Sequence, residues 1–142
     1  MADRRMIRKA TAVDVPRIWE IRFAVKENRL STPGLVTDAD MQRCLDDGEM
    51  WVWDEDGHIK GFSASDSRDG SIWALFIDPA WEGQGIGQAL LAEACARLRT
   101  AGYRVMTLST GPGTRAERFY RRNGWDAQGL DAKGEVIFRK PA

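Results

Sequence analysis

The sequence is poor in the residues from which most catalytic and metal centres are built. It holds one histidine, His58, and two cysteines, Cys44 and Cys95, with no C-x-x-C and no neighbouring histidine pair. A zinc site and a disulfide framework are both disfavoured, no metal is expected, and a reducing compartment fits better. Schemes built on Ser-His-Asp or Cys-His are weakened for the same reason. Charge of one sign is not in excess either: 21 Lys and Arg face 21 Asp and Glu, for a formal net charge of zero. A polyanion binder ordinarily shows a basic surplus, so nucleic acid is not expected as the main partner. No apolar run approaches the roughly 18 residues of a membrane span, so no membrane partner is expected. Met1-Ala-Asp-Arg-Arg leads into Met6-Ile-Arg and not into a long apolar stretch. It therefore reads as carrying no secretory signal, and a cytoplasmic location is the expectation. No repeat, low-complexity tract or linker divides the chain. Its 142 residues are expected to form one domain, residues 1–142.

What is present is a readable succession of periods. Met6 to Lys9 forms a short strand. Thr11, with Asp14 at capping-box spacing, opens a helix that should end near Asn28. Its apolar residues Val15, Ile18 and Phe23 do not share one narrow stripe, which suggests burial on two sides. Leu30 to Val36 contains Ser31-Thr-Pro-Gly34 and reads as a loop. Thr37 then caps a second helix with Met41, Cys44 and Leu45 inward. Met50–Trp53 and His58–Ser65 make a hairpin about Glu55-Asp-Gly57. After Arg68-Asp-Gly70, the run Ile72–Ile77 is apolar enough to be a strand covered on both faces. Pro79 ends it, and a glycine cluster leads into a helix to about Thr100 with Ile86, Leu90, Leu91, Ala94 and Leu98 at helical spacing. Val105–Leu108 is another strand. Thr114 caps a short helix to about Asn123, and Trp125–Ala127 and Val136–Phe138 close the chain. Hairpins followed by a strand–helix–strand crossover indicate an α+β class with a partly antiparallel sheet.

The informative stretch is Glu82-Gly-Gln-Gly85-Ile-Gly87, between a buried strand and a long helix. Glycine permits a tight turn and lets a ligand approach without meeting a Cβ. The first amides of the helix have no internal partner, and with the helix dipole they form an anion site. A tight turn that merely eases helix packing is the competing explanation for such a cluster. A Walker A loop would need a Lys that is missing, and a dinucleotide fingerprint would need glycine where Gln88 stands.

This loop resembles the acetyl-CoA loop of the GNAT superfamily of N-acetyltransferases, written Q/R-x-x-G-x-G/A. The likeness extends over nearly all of residues 5–140. The strand-helix opening, the hairpin, a strand ending in Asp78-Pro79, the loop-helix, and a later helix carrying Phe119-Tyr120 and ending in Gly124-Trp125 follow the family order. The resemblance implies a GNAT fold: a central mixed, mostly antiparallel sheet of about six to seven strands, flanked by about four helices. It implies acetyl-CoA as cosubstrate and a primary amine as acceptor; a small amine, a peptide N-terminus and a protein lysine all stay open, and the absence of a long peptide-groove insertion and of a charge bias in the sequence leans towards a small molecule. It implies cofactor contacts from Leu75, Phe76, Ile77, Glu82, Gly83, Gln84, Gly85, Ile86, Gly87 and Gln88. Related domains are often dimers, so a homodimer is allowed. Two positions depart from the pattern. Glu82 stands where Gln or Arg is usual, placing a carboxylate near a diphosphate. Gly113 stands where many members carry Asn.

Acetyl transfer to an amine needs a neutral nucleophile, a donor for the carbonyl oxygen and a proton for the departing thiolate. A lysine-like amine with a pKa near 10.4 is neutral only about once in 2,500 molecules at pH 7, so a base helps. The resemblance implies backbone amides near Leu75 to Ile77 as the oxygen's donors, and Tyr120 as the acid. A phenol with a pKa near 10 stays protonated at pH 7. The competing reading is that Phe119 and Tyr120 are both core aromatics of an amphipathic helix; the glycine loop in its proper order favours the acid role. For the base, Glu27 beside the Leu30–Val36 loop is one candidate; Asp66 and His58 are others. Attack by an amine bound already neutral would need none of them. The implied acceptor pocket lies near Glu27–Ser31 and the aromatics Trp51, Trp53 and Trp73, each of which could instead be core. Of the arginines at 115, 118, 121 and 122, some could touch CoA phosphates. The alternative reading is an acyl-CoA-binding or regulatory domain without turnover.

Overall fold

A computed structural model of the chain describes residues 5–25 and 38–142. Seven strands form one sheet in the order β1-β2-β3-β4-β5-β7-β6. They are β1 (Arg5–Lys9), β2 (Met50–Glu55), β3 (His58–Asp66), β4 (Ser71–Ile77), β5 (Val105–Thr110), β6 (Asp126–Leu130) and β7 (Val136–Pro141). Among the described residues four α-helices accompany them: α1 (Val15–Ala24), α2 (Asp38–Asp47), α3 (Ile86–Thr100) and α4 (Arg115–Arg122). Every pairing is antiparallel except β4 with β5. The mixed, mostly antiparallel sheet and the four helices are as expected. Among the described residues no helix is long and apolar enough to cross a membrane.

The sheet is covered on both faces. On one, α3 buries Ile86, Leu90, Leu91, Ala94 and Leu98 against Trp51, Ile72, Met106, Leu108 and Phe138. On the other, Ile18 and Ile21 of α1 and Met41 and Cys44 of α2 pack on Met50, Val52, Phe62 and Phe76. At about 1.5–3 kcal/mol for each fully buried large aliphatic or aromatic side chain, these two layers dominate the stabilisation.

Thr11 and Asp14 do meet, the Thr11 amide donating to the Asp14 carboxylate at 2.8 Å. Arg8 grips the same carboxylate through two guanidinium nitrogens at 2.8 and 2.9 Å. Those hydrogen bonds hold the Asp14 carboxyl below the usual carboxylate range. The α-helix, however, stops at Ala24, short of the expected end near Asn28, because Val25 turns extended (φ −83°, ψ 93°). Its burial is one-sided and not two-sided: Ile18 and Ile21 are fully buried, whereas Phe23 is 58% exposed. Strand β4 also departs from expectation. Ile72, Ala74 and Phe76 are buried, but Trp73, Leu75 and Ile77 are only half-buried. The Leu30–Val36 loop and the Thr37 cap lie outside the described residues.

Two irregularities in the sheet create the site. The β3–β4 register slips between Ala64 and Ser65, so that Ala64 faces Ala74 while Ser65 faces Ile72. A bulge of this kind bends and twists its strand. On the other edge, β4 and β5 pair only at Ser71 and Thr107. Beyond that point no strand lies against the β5-facing edge of β4 among the described residues, and the two strands part.

Candidate active site

A cavity of about 850 Å³ opens where β4 and β5 separate. Leu75, Phe76 and Ile77 form its floor, the glycine loop and the start of α3 one side, and α4 the other. The loop is shaped by backbone conformation. Gly83 and Gly85 have φ of +79° and +82°, values that side-chain-bearing residues adopt only under strain. A Cβ at either would meet nothing within 4 Å, so conformation and access to the cavity, not crowding, call for glycine there. Gly87 differs: its φ is ordinary, and a Cβ would only touch Phe119 at 3.5 Å. The first bond closing α3 runs from the Ala89 amide to the Gly85 carbonyl at 3.2 Å. The amides of Ile86, Gly87 and Gln88 ahead of it have no partner within the helix, which is the condition for anion binding.

Nine of the ten residues expected at the cofactor line this cavity: Leu75, Phe76, Ile77, Glu82, Gly83, Gly85, Ile86, Gly87 and Gln88. Gln84 is exposed and does not line it. Glu82 does not stand as an isolated carboxylate, because Arg115 at the start of α4 pairs with it at 3.0 Å. The ion pair spans the cavity mouth and offsets the charge that the sequence placed near a diphosphate. Across the rim, Gln88 donates to Asn123 at 3.2 Å, and Asn123 in turn donates to the Phe119 carbonyl at 2.8 Å. Of the four arginines of α4, Arg115 and Arg122 line the cavity; Arg121 is turned to Glu117 at 3.0 Å. Gly113 accepts the φ of +73° that an Asn would tolerate less readily, and its amide donates to Glu117 at 2.9 Å.

Tyr120 also lines the cavity, although only 7% of it is exposed. Its ring packs against Phe119, Trp125 and Phe138 at centroid distances of 5.4, 6.0 and 5.8 Å. Burial, with the Cys95 thiol nearby, pushes the phenol above its ordinary value near 10, so it holds its proton at neutral pH. Tyr120 is thus a core aromatic, as one reading expected, and at the same time part of the cavity lining.

The remaining candidates are not gathered here. Glu27 lies outside the described residues. Asp66 sits opposite Ser71, at the end of β3 remote from the glycine loop. Arg68 binds it through three nitrogens and Arg43 lies 3.6 Å away, and the Arg68 hydrogen bonds hold its carboxyl low. Exposed His58 touches the edge of Trp81 and does not line the cavity. Trp51 is core beneath α3, and Trp53 packs on the same cluster while donating to Glu55 at 3.1 Å. Trp73 borders a small second cavity. Sequence reasoning missed Ala24, Val25, Trp81 and Asn123 as lining residues. The Asn123-Gly124 pair ending α4 was the one available signal.

A family model for the acetyltransferase (GNAT) domain matches residues 46–127. The chain belongs to the GNAT acetyltransferases. Acetyl-CoA is the cosubstrate of this family. A mycothiol acetyltransferase of Cellulomonas flavigena is 34% identical over 85 residues, covering 59% of this chain and 24% of that protein. The chain spans about a quarter to a third of the length of the curated relatives it matches. Among solved structures, the ribosomal-protein-alanine N-acetyltransferase of Brucella melitensis superposes with a TM-score of 0.76 at 23% identity, covering 96% of this chain and 99% of that one. The PaiA N-acetyltransferase of Thermoplasma acidophilum, in complex with coenzyme A, gives 0.71 at 17% identity over the whole of both chains. At these identities the structures establish the GNAT fold, and the local geometry must supply the rest.

Proposed function

We propose that this chain is an acetyl-CoA-dependent N-acetyltransferase acting on a primary amine, with residues 1–142 as one catalytic domain and Tyr120 as general acid. The observation that carries this reading is that one cavity joins the glycine loop to Tyr120. An anion cradle and a protonated phenol on the same concave surface are what a diphosphate-bearing thioester requires at its two ends.

The residues present fit acetyl-CoA. The amides of Ile86, Gly87 and Gln88 and the guanidinium groups of Arg115 and Arg122 would hold the diphosphate. Each charge-assisted hydrogen bond contributes about 1.5–3 kcal/mol. The β5-facing edge of β4 offers backbone donors and acceptors to an extended arm, as an added strand would use them. Bound there, the thioester supplies an activated acetyl group. Amides near Leu75 to Ile77 would take up charge developing on its carbonyl oxygen. Tyr120 would then give its proton to the departing sulfur. The similar proteins carry names that point to different substrates, mycothiol acetyltransferase for some and ribosomal-protein-alanine N-acetyltransferase for another, so the acceptor must be read from this chain's own site. We favour a small molecule, since neither a charge bias nor a long peptide-groove insertion marks the sequence.

Calorimetric titration with acetyl-CoA, with ATP as control, tests the cofactor, and thiol release over an amine library tests turnover. Tyr120→Phe should lower kcat by about 10²–10⁴-fold with acetyl-CoA affinity unchanged. Full activity in that variant would remove the acid role. Binding without any amine-dependent thiol release would favour a non-catalytic acyl-CoA module.

A further inference from the structure

The second cavity, of about 50 Å³, lies against the other side of the β4–β5 opening. It shares Leu75, Phe76, Ala116 and Tyr120 with the large cavity, so the two meet across Tyr120 and the bulged half of β4. Its own polar groups are Ser109, Thr110 and Glu135. Across the linings of both cavities the carboxylates are Glu82 and Glu135. Glu82 is committed to Arg115. Glu135 accepts a hydrogen bond from the Ser109 hydroxyl at 3.3 Å, and no ion pair engages it among the described residues. Its backbone is fixed by the β6–β7 turn, its amide donating to the Asp131 carboxylate at 2.9 Å and its carbonyl accepting from the Asp131 amide at 2.8 Å.

A half-buried carboxylate without a cation, facing a space sized for one small polar group, is the complement of an ammonium. We infer that Glu135 receives the acceptor's primary ammonium in the small cavity and takes the proton that frees it for attack. This rests on the acetyltransferase reading above and names a base other than Glu27, Asp66 and His58. The atoms balance as follows. The ammonium gives one proton to the Glu135 carboxylate. The freed lone pair forms an N–C bond to the thioester carbonyl carbon, and the C–S bond breaks. The sulfur takes the Tyr120 proton, and the resulting phenolate takes the surplus proton from the new amide nitrogen. Glu135 returns its proton to water, so one proton is released per turnover. Because Tyr120 lines both cavities, the acyl donor in the large one and the acceptor in the small one would both reach it.

The test compares the wild-type chain with Glu135→Gln, which keeps an acceptor for Ser109 and removes the charge. Acetyl-CoA affinity is measured first by calorimetry in both proteins and should be equal. Thiol release is then followed with ethanolamine, putrescine and lysine amide, and with 4-methoxyaniline as an amine that is uncharged at pH 7. The variant should lose about a hundredfold in kcat/KM on the alkylamines at pH 7 and little on the arylamine. Its deficit should close as the pH nears the alkylamines' own pKa, about 10 for a lysine-like amine, where they arrive neutral. Unchanged alkylamine turnover in the variant would overturn the inference. So would an equal loss on alkyl and aryl amines at every pH, which would mean a structural role, or a wild-type protein that binds acetyl-CoA yet acetylates none of the alkylamines. Failure of the wild-type protein to bind acetyl-CoA would instead refute the cofactor reading beneath it.

Discussion

Gly85→Ala is the sharpest probe of the cofactor loop, because α3 carries its own control. Gly85 precedes the helix with φ +82°, and Gly102 follows it with φ +96°; a Cβ at either meets nothing within 4 Å. Alanine at either position therefore costs the left-handed strain alone, about 1–2 kcal/mol. For a chain of this size that lowers Tm by roughly 3–8 °C. Stability alone would not tell the two variants apart. Binding should. Gly85 lines the large cavity and Gly102 does not. A Cβ at Gly85 enters the space that a diphosphate would occupy and tilts the amides ahead of Ala89. Loss of one charge-assisted hydrogen bond, about 1.5–3 kcal/mol, is roughly a 10–150-fold rise in Kd for acetyl-CoA. Calorimetry on both variants, beside their melting curves, reads the two effects separately. Wild-type acetyl-CoA affinity in Gly85→Ala, with Tm lowered as in Gly102→Ala, would refute the loop assignment. Gly85→Glu, which adds a like charge, should abolish binding outright.

Three further outcomes follow from named contacts. Arg115→Ala should weaken acetyl-CoA binding several-fold, more at low salt, by removing one cation and exposing the Glu82 carboxylate; adding Glu82→Gln should restore part of the loss, read by calorimetry. Glu49→Ala should be among the more destabilising changes outside the core. This carboxylate is 1% exposed, accepts from the Ser67 amide at 2.9 Å and from the Ser67 hydroxyl, and pairs with Arg97 at 3.5 Å, so about 2–4 kcal/mol in urea unfolding is expected. The Asp14 carboxyl is held low by Arg8, so its stabilisation is complete above the unfolded value near 4 and is lost as pH falls through the lower folded value. Asp14→Asn should accordingly lower stability at pH 7 and flatten its fall below about pH 4, measured by urea unfolding at a series of pH values.

The parts of the site that were legible are those where one residue type is demanded locally. A backbone at φ near +80° asks for glycine whatever surrounds it, so Gly83 and Gly85 announce the loop. Helical spacing of Ile86, Leu90, Leu91 and Leu98 announces the buried face of α3, and Thr114, whose hydroxyl accepts from the Glu117 amide at 3.1 Å, announces the start of α4. What was not legible depends on partners distant in the chain. The sheet is covered on both faces, so alternation does not say which side a tryptophan takes; Trp51 went to the α3 core and Trp73 to the opposite layer. Asp66 reads as a free acid at a strand end until Arg43 and Arg68 are seen to hold it. Glu82 reads as a defect until Arg115 arrives from α4.

The same dependence decides where the charge of the site comes from, since β4 itself carries no charged residue. Its half-buried Trp73, Leu75 and Ile77 are apolar and split between the two layers across the bulge, Leu75 and Ile77 packing on the α3 side and Trp73 on the α1 and α2 side. Charge is supplied instead from the elements that frame the opening. Arg115 and Arg122 come from α4, the unpaired amides from α3, and Glu135 from the β6–β7 turn, brought beside the opening because β7 inserts between β5 and β6. Glu135 sits in a polar turn, Asp131-Ala-Lys-Gly-Glu135, whose composition describes only solvated loop. The strand order, which no local pattern encodes, is what turns that loop residue into a wall of the site.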